Sequence, residues 1–487
     1  MESLADKSVL VLGLGETGLS MLRYLKAQGA HVRAADTRAN PPGLAEARKY
    51  VVEPLIFCGA FDDELFAGVD LIAISPGVPL HEPAVARASA CGIPVAGDIE
   101  LFAQYRNQES GAPARGTPLG APPQSGDPSA VRSQVIAITG SNGKSTVTSM
   151  VEHLCKAAGK DAVAAGNISP AVLDALAQRG GRQPEIWVLE LSSFQLETTA
   201  TLNADAATVL NISEDHLDRY ADVDEYSAAK ARIYIGAAAQ ILNRDDARCM
   251  AMAREGCDRL TFGLGIPGDQ GASANEKEFG IVQKKGEVWL AQGTKPLLKA
   301  AELPVPGLHN AANALAALAL CSAIGLPMPP MVAALRGFKG LPHRVERVAE
   351  INDVIYYDDS KGTNVGATVA ALEGLGRKAV LIAGGEGKGQ DFSPLKPVVS
   401  EHARGVILIG RDAGLIAAVL HDSGVPVEHG RDMDDAVRRA ARLAQSGDAV
   451  LLSPACASFD MFRNYAHRAE MFVKAVSDLK PEGAWHS

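Results

Sequence analysis

The string Gly140-Ser141-Asn142-Gly143-Lys144-Ser145-Thr146 holds the parts that chemistry on a nucleoside triphosphate needs, in the order it needs them. The apolar run Val135 to Ile138 predicts a strand feeding a glycine turn, and the residues after Thr146 read as a helix. Backbone N–H groups of such a turn and helix N-terminus face phosphate oxygens. Lys144 supplies a cation for the outer phosphates, and Ser145 or Thr146 a hydroxyl for Mg²⁺. The loop is shorter than the common pattern: Ile138 stands where the upstream glycine is usual, and the nearest glycine is Gly140.

Four further constellations sit where predicted strands end. Glu190 closes the apolar run Ile186 to Leu189, the position of a second Mg²⁺ ligand in a sheet that carries a phosphate loop. His216 follows the run Ala207 to Ile212, and could bind Mg²⁺ or orient phosphate. Near the C-terminus, Asp359-Ser360-Lys361-Gly362-Thr363, the glycine-rich turn around Lys388, and Ser453 to Ser458 each follow a strand, and their lysines and hydroxyls suit an anionic substrate. At the N-terminus, Gly13-x-Gly15-x-x-Gly18, with Asp36 ending the next strand, aims amides at a diphosphate. That fingerprint alone fits NAD or a UDP-linked ligand. Glu16 must point away from such an anion.

The elements that position these groups form three α/β units in series. Strands at Val9–Leu12, His31–Ala35 and Leu71–Ser75 alternate with helix patterns over residues 1–106. Residues 107–134 are rich in Gly, Pro, Ala and Ser, without apolar periodicity, and read as a flexible linker or insertion. A central unit spans 135–340, with an alternating segment at Phe279–Leu290 and a helix over Ala311–Gly325. A third spans 341–487, with strands near Val354–Tyr357, Ala379–Ala383, Val406–Ile409 and Ala449–Leu452. Lys230, in a helix pattern over 224–235, reads by itself as a surface lysine. The formal charge of −10 argues against non-specific nucleic-acid binding. Seven scattered cysteines without C-x-x-C spacing read as free thiols in a reducing cytoplasm. No apolar run reaches the ~20 residues of a membrane helix.

Together these strings resemble the Mur ligase family of peptidoglycan synthesis, over nearly the whole chain apart from 107–134. The phosphate loop, His216-Leu217-Asp218 and Leu341-Pro342-His343-Arg344 match the family at large, while the N-terminal fingerprint and third-unit strings match its D-glutamate-adding branch. The resemblance implies a Rossmann-like first domain, a central P-loop-type ATP-binding α/β domain and a Rossmann-like C-terminal domain. It also implies a monomeric cytoplasmic enzyme that uses ATP to join D-glutamate to UDP-N-acetylmuramoyl-L-alanine through an acyl phosphate. Thr17, Asp36, Thr37, Arg38, Gly77, Asn167, Ser192 and His216 would then hold the UDP substrate. Gly140, Asn142, Gly143, Lys144, Ser145, Thr146, His309, Asn313, Arg344 and Asp359 would hold ATP. Lys361, Thr363, Lys388, Ser458 and Tyr465 would hold D-glutamate, Tyr465 standing where the family has phenylalanine. Lys144, Glu190, His216 and Lys230 would be catalytic, and Ser145, Glu190, His216 and a carbamylated Lys230 would serve two Mg²⁺ ions. The alternatives are a sister ligase adding another amino acid and, from a different class, an NAD-dependent oxidoreductase.

Overall fold

The computed structural model describes residues 4–109, 132–268, 275–305 and 307–479. Most of the 107–134 segment therefore lies outside the described residues.

The first unit is a five-stranded parallel sheet in the order Ile56–Cys58, His31–Asp36, Ser8–Leu12, Leu71–Ile74, Val95–Ala96. Chain direction across the sheet reverses beside Ser8–Leu12, which opens a crevice at the strand C-termini, where such sheets take ligands. Gly13 to Gly18 and Ser75 to Val78 meet there. A Cβ on Gly18 would lie 1.7 Å from the Gly13 carbonyl oxygen, so the helix Glu16–Ala27 can approach the turn only with glycine at that position.

The central sheet has nine strands, with Gln134–Thr139 between Ile186–Glu190 and Ala206–Val209, all parallel. The strand read over Ala207–Ile212 stops at Val209. Beyond it, Asn211 turns to accept the Ser141 and Asn142 N–H groups, through its carbonyl and its Oδ1 respectively. The alternating segment at Phe279–Leu290 is an antiparallel pair, Glu278–Lys284 and Glu287–Gln292. Its turn at Lys285-Gly286 has positive φ at both residues, which matches the strand twist. The helix read over Ala311–Gly325 begins earlier, at Leu308, and ends at Ala323.

The third sheet has six strands, ordered Glu346–Ile351, Val354–Asp358, Ala449–Leu452, Ala379–Ala383, Ala403–Leu408, Val427–His429. Its first strand pairs antiparallel and has no fully buried residue, so it lacks the apolar signature that marks the others.

The first two units share one core. Val9, Leu101 and Phe102 pack in the same cluster as Val135, Trp187 and Leu196. The helix Asp98–Glu109 fastens them further. Glu100 accepts from the Ala200 and Thr201 N–H groups, and Arg106 donates to the Leu202 carbonyl. Arg23 and Asp174 add an ion pair at 2.6 Å. The third unit has its own core on both faces of its sheet.

Candidate active site

Two cavities lie where the central unit meets its neighbours. The first, about 580 Å³, lies between the first and central units and brings Thr17, Asp36, Thr37, Arg38 and Gly77 to Asn167 and Gln195. The Asp36 carboxylate is saturated: Leu14 N–H donates to Oδ2 at 2.8 Å, and Arg38 donates through its backbone N–H, Nε and Nη2. Burial pushes its pKa up, but these bonds and the Arg38 charge outweigh burial and hold it below the ordinary carboxylate range. Asp36 is thus a brace for the glycine turn and for Arg38. It offers no free oxygen to the ribose diol that an NAD site would present, which removes the main support for the oxidoreductase alternative. Glu16 lines the cavity but accepts a bond from Ser169 Oγ at 3.1 Å. Ser192 is a helix cap: it accepts from Gln195 N–H, while its own N–H donates to Gln195 Oε1. Ser192 does not line the cavity, whereas Gln195 does. The sequence signal that could have marked Gln195 is its position three residues after Ser192, the capping-box spacing.

The second cavity, about 330 Å³, lies between the central and third units. It is lined by Asn142, Gly143, Thr146, His309, Asn313, Arg344, Asp359 and Lys361, drawn from segments more than 200 positions apart. The helix Lys144–Ala157 starts here after Gly143, which has φ 82° and leaves the first N–H groups without a side-chain cap. A Cβ on Gly143 would stand 2.7 Å from Asn313 Oδ1. This is an anion cradle. Lys144 Nζ donates to the Gly140 and Ser141 carbonyls at 2.8 and 2.9 Å. Ser145 Oγ accepts from Arg344 Nη2 at 3.0 Å and Lys361 Nζ at 3.3 Å, so the third unit is seated on the loop. Burial lowers the His309 pKa to about 4, leaving a neutral ring beside the cavity at pH 7. Burial raises Asp359 to about 7, against the opposing bond from Ser453 Oγ.

Between the cavities stands a buried charged cluster. Glu190 is 2% exposed; its Oε1 accepts from Asn167 Nδ2 at 2.8 Å, while Oε2 has no hydrogen-bond partner among the described residues. Lys230 is 1% exposed, with Nζ 3.4 Å from Thr139 Oγ1 and 4.5 Å from the Tyr226 ring centre. The surface reading of this lysine is thus overturned. Burial, with the Lys144 charge nearby, lowers the Lys230 pKa far below a normal amine. Burial also lowers Lys144, and there Glu190 opposes the shift. His216 has positive φ and lies edge-on to Phe194; burial, with three nearby lysines, 388, 144 and 230, lowers its pKa below the ordinary imidazole range. Its neighbour Asp215 raises its pKa and partly offsets that effect.

On the third unit, Lys361 Nζ lies 5.3 Å from the Tyr465 ring centre. Buried Arg468 ties the loops together, donating to Ser360 Oγ, the Ser360 carbonyl and the Cys456 carbonyl. Ser458 is buried beside them, and Thr363 and Lys388 are half-buried.

Three family models match the chain: the MurD-like N-terminal domain of Mur ligases over residues 7–97, the Mur ligase middle domain over 138–321, and the Mur ligase glutamate ligase domain over 343–456. The chain belongs to the Mur ligase family, whose members are ATP-dependent enzymes that form amide bonds. It is 55% identical to the UDP-N-acetylmuramoylalanine–D-glutamate ligase of Methylobacillus flagellatus, over 99% of each chain. It is 54% identical to the enzyme of the same name from Nitrosomonas europaea, over 96% of each. Among solved structures it resembles the UDP-N-acetylmuramate–alanine ligase of Thermotoga maritima, with TM-score 0.58 and 18% identity, covering 97% of this chain and 100% of that one. That likeness bears on the fold. Among the described residues, no helix is long and apolar enough to cross a membrane.

Proposed function

We propose that this chain uses ATP to join D-glutamate to UDP-N-acetylmuramoyl-L-alanine, a step of peptidoglycan precursor synthesis that serves cell-wall growth, cell shape and division. We place it in the cytoplasm, as a monomer. The observation that carries the reading is Asn167: it lines the cavity below the N-terminal glycine turn, and its amide bonds Glu190 beside the phosphate loop. A ligand anchored by its diphosphate at Gly13–Gly18 can therefore reach across Asn167 and present its far carboxylate to the γ-phosphate.

A carboxylate is a poor acyl donor because its leaving group would be oxide. Attack of its oxygen on the γ-phosphorus breaks the bond to the β-phosphate oxygen, giving ADP and an acyl phosphate. The D-glutamate amine then adds to the acyl carbon, the tetrahedral intermediate expels phosphate, and the nitrogen loses a proton. The Gly140–Thr146 loop and Lys144 hold the ATP phosphates, with Arg344 over the γ-phosphate and His309, Asn313 and Asp359 at adenine and ribose. Thr17, Thr37, Arg38 and Gly77 hold the uridine diphosphate part. Lys361, Lys388, Thr363, Ser458 and Tyr465 hold D-glutamate.

The donor set fits Mg²⁺: Glu190 is buried and its Oε2 has no hydrogen-bond partner among the described residues, while Ser145 and His216 follow the paired strands Gln134–Thr139 and Ala206–Val209. When bound there, Mg²⁺ would offset charge on the transferring phosphoryl group. Lys230 fits as a carbamate. Its burial favours the neutral amine, whose lone pair adds to CO₂ with release of a proton, turning a buried neutral amine into an anion. Phosphate release from ATP and Mg²⁺ that requires both UDP-N-acetylmuramoyl-L-alanine and D-glutamate tests the reading. Equal release with L-lysine or meso-diaminopimelate, or none with either substrate set, would overturn it.

A further inference from the structure

We infer that Asn364 is a positioning residue that latches the third unit onto the phosphate loop and the His216 segment. The inference rests on the ligase reading above and deepens it. Asn364 is 3% exposed and caps the helix Val365–Gly374, its Oδ1 accepting from Ala367 N–H at 2.9 Å. That bond fixes the amide orientation and directs Nδ2 outward from its own unit. Nδ2 donates to Asn142 Oδ1 in the phosphate loop at 3.0 Å and lies 3.4 Å from Asp215 Oδ2, next to His216. Asn142 in turn donates its Nδ2 to Ser213 Oγ at 3.3 Å. One buried amide therefore joins a third-unit helix, the ATP-binding loop and the segment carrying His216. Gly366, two residues on, fits the same seam: a Cβ there would stand 3.2 Å from Asn142 Nδ2 and from Ser213 Oγ.

The latch bears on chemistry because an acyl phosphate exposed to water reverts to carboxylate and phosphate without forming an amide. A seam held shut by Asn364 keeps the D-glutamate loops over the loop that makes the acyl phosphate.

Two substitutions separate the latch from the cap. Asn364→Asp and Asn364→Ser both keep a good helix-capping acceptor. The first places a carboxylate oxygen against Asn142 Oδ1 and Asp215, and the second cannot reach either. Asn364→Ser, which brings no charge, should melt within about 2 °C of the wild type, as a cap-preserving change does. Both should lose roughly tenfold in kcat/KM for D-glutamate, and release more phosphate than amide product. Small-angle scattering of the substrate-free protein reads the latch without turnover: both variants should have a larger radius of gyration than the wild type. An unchanged radius and a one-to-one phosphate-to-amide ratio would overturn the latch. So would an activity loss that tracks a lowered melting temperature. A wild type without two-substrate turnover would instead overturn the ligase reading, with the scattering result still deciding the latch.

Discussion

Lys361 offers a pH test of the third unit's role. Burial, then the neighbouring Arg344 charge, lowers its amine to about 8. It is therefore roughly nine-tenths protonated at pH 7 and one-tenth at pH 9. If its ammonium binds a D-glutamate carboxylate, kcat/KM for D-glutamate loses that contribution across this range. The attacking amine of D-glutamate must be deprotonated, which raises the rate over the same range and masks the loss. Comparison with Lys361→Arg removes the mask, because arginine stays charged and the substrate ionisation is common to both enzymes. The ratio of wild-type to variant kcat/KM should fall about tenfold between pH 7 and 9. Lys361→Met should lose about a hundredfold in kcat/KM at pH 7 without losing stability. The sign follows from linkage: with the folded pKa below the unfolded one, the folded state binds fewer protons, so this group's contribution to stability rises between pH 8 and 10.5. Below that window its charge is a burden on the fold, which methionine removes. Steady-state kinetics at five pH values and thermal melts suffice. A flat ratio would refute the assignment of Lys361 to D-glutamate.

Three other outcomes are expected. Gly18→Ala drives a Cβ into the Gly13 carbonyl; it should cost on the order of 2 kcal/mol in denaturant unfolding and raise KM for the UDP substrate more than for ATP, whereas equal effects on both would argue against a diphosphate at this turn. Lys230→Ala should be nearly inactive and partly rescued by short-chain carboxylic acids that supply the missing anion, and full activity would refute the carbamate. Asp98 is buried, with burial raising its pKa to about 6 although Gln195 bonds it. Its folded pKa lies above the unfolded one, so its contribution to stability falls as pH rises from about 4 to 6. Asp98→Asn should therefore gain roughly 3 kcal/mol at pH 8 and little at pH 4, and no pH dependence in the difference would count against ionisation at this position.

Much of this molecule is legible along the chain. The phosphate loop shows itself because strand, glycines, lysine and hydroxyls are contiguous, and the parallel strands Ala379–Ala383 and Ala449–Leu452 are buried on both faces and so read as unbroken apolar runs. The exposed edge strand Glu346–Ile351 has no such run, and pairing with Val354–Asp358 is what makes it a strand. The first-unit boundary near residue 106 follows composition, whereas the helix Asp98–Glu109 and the shared core join the first two units into one packed body.

What the sequence determines by itself is the set of chemical groups at strand ends and the family they belong to, since local spacing fixes turns, caps and phosphate amides. The state of those groups is decided by tertiary structure. Lys230 lies on a helix of almost evenly mixed character, and its burial comes from Thr139 and Tyr226, 91 residues before it in one case and close by in the other. Asp36 is tied in place because Arg38 folds back onto it, and Asn364 meets Asn142 across 222 positions. Desolvation and long-range hydrogen bonding depend on which surfaces close over a side chain, and no local window of sequence contains that information.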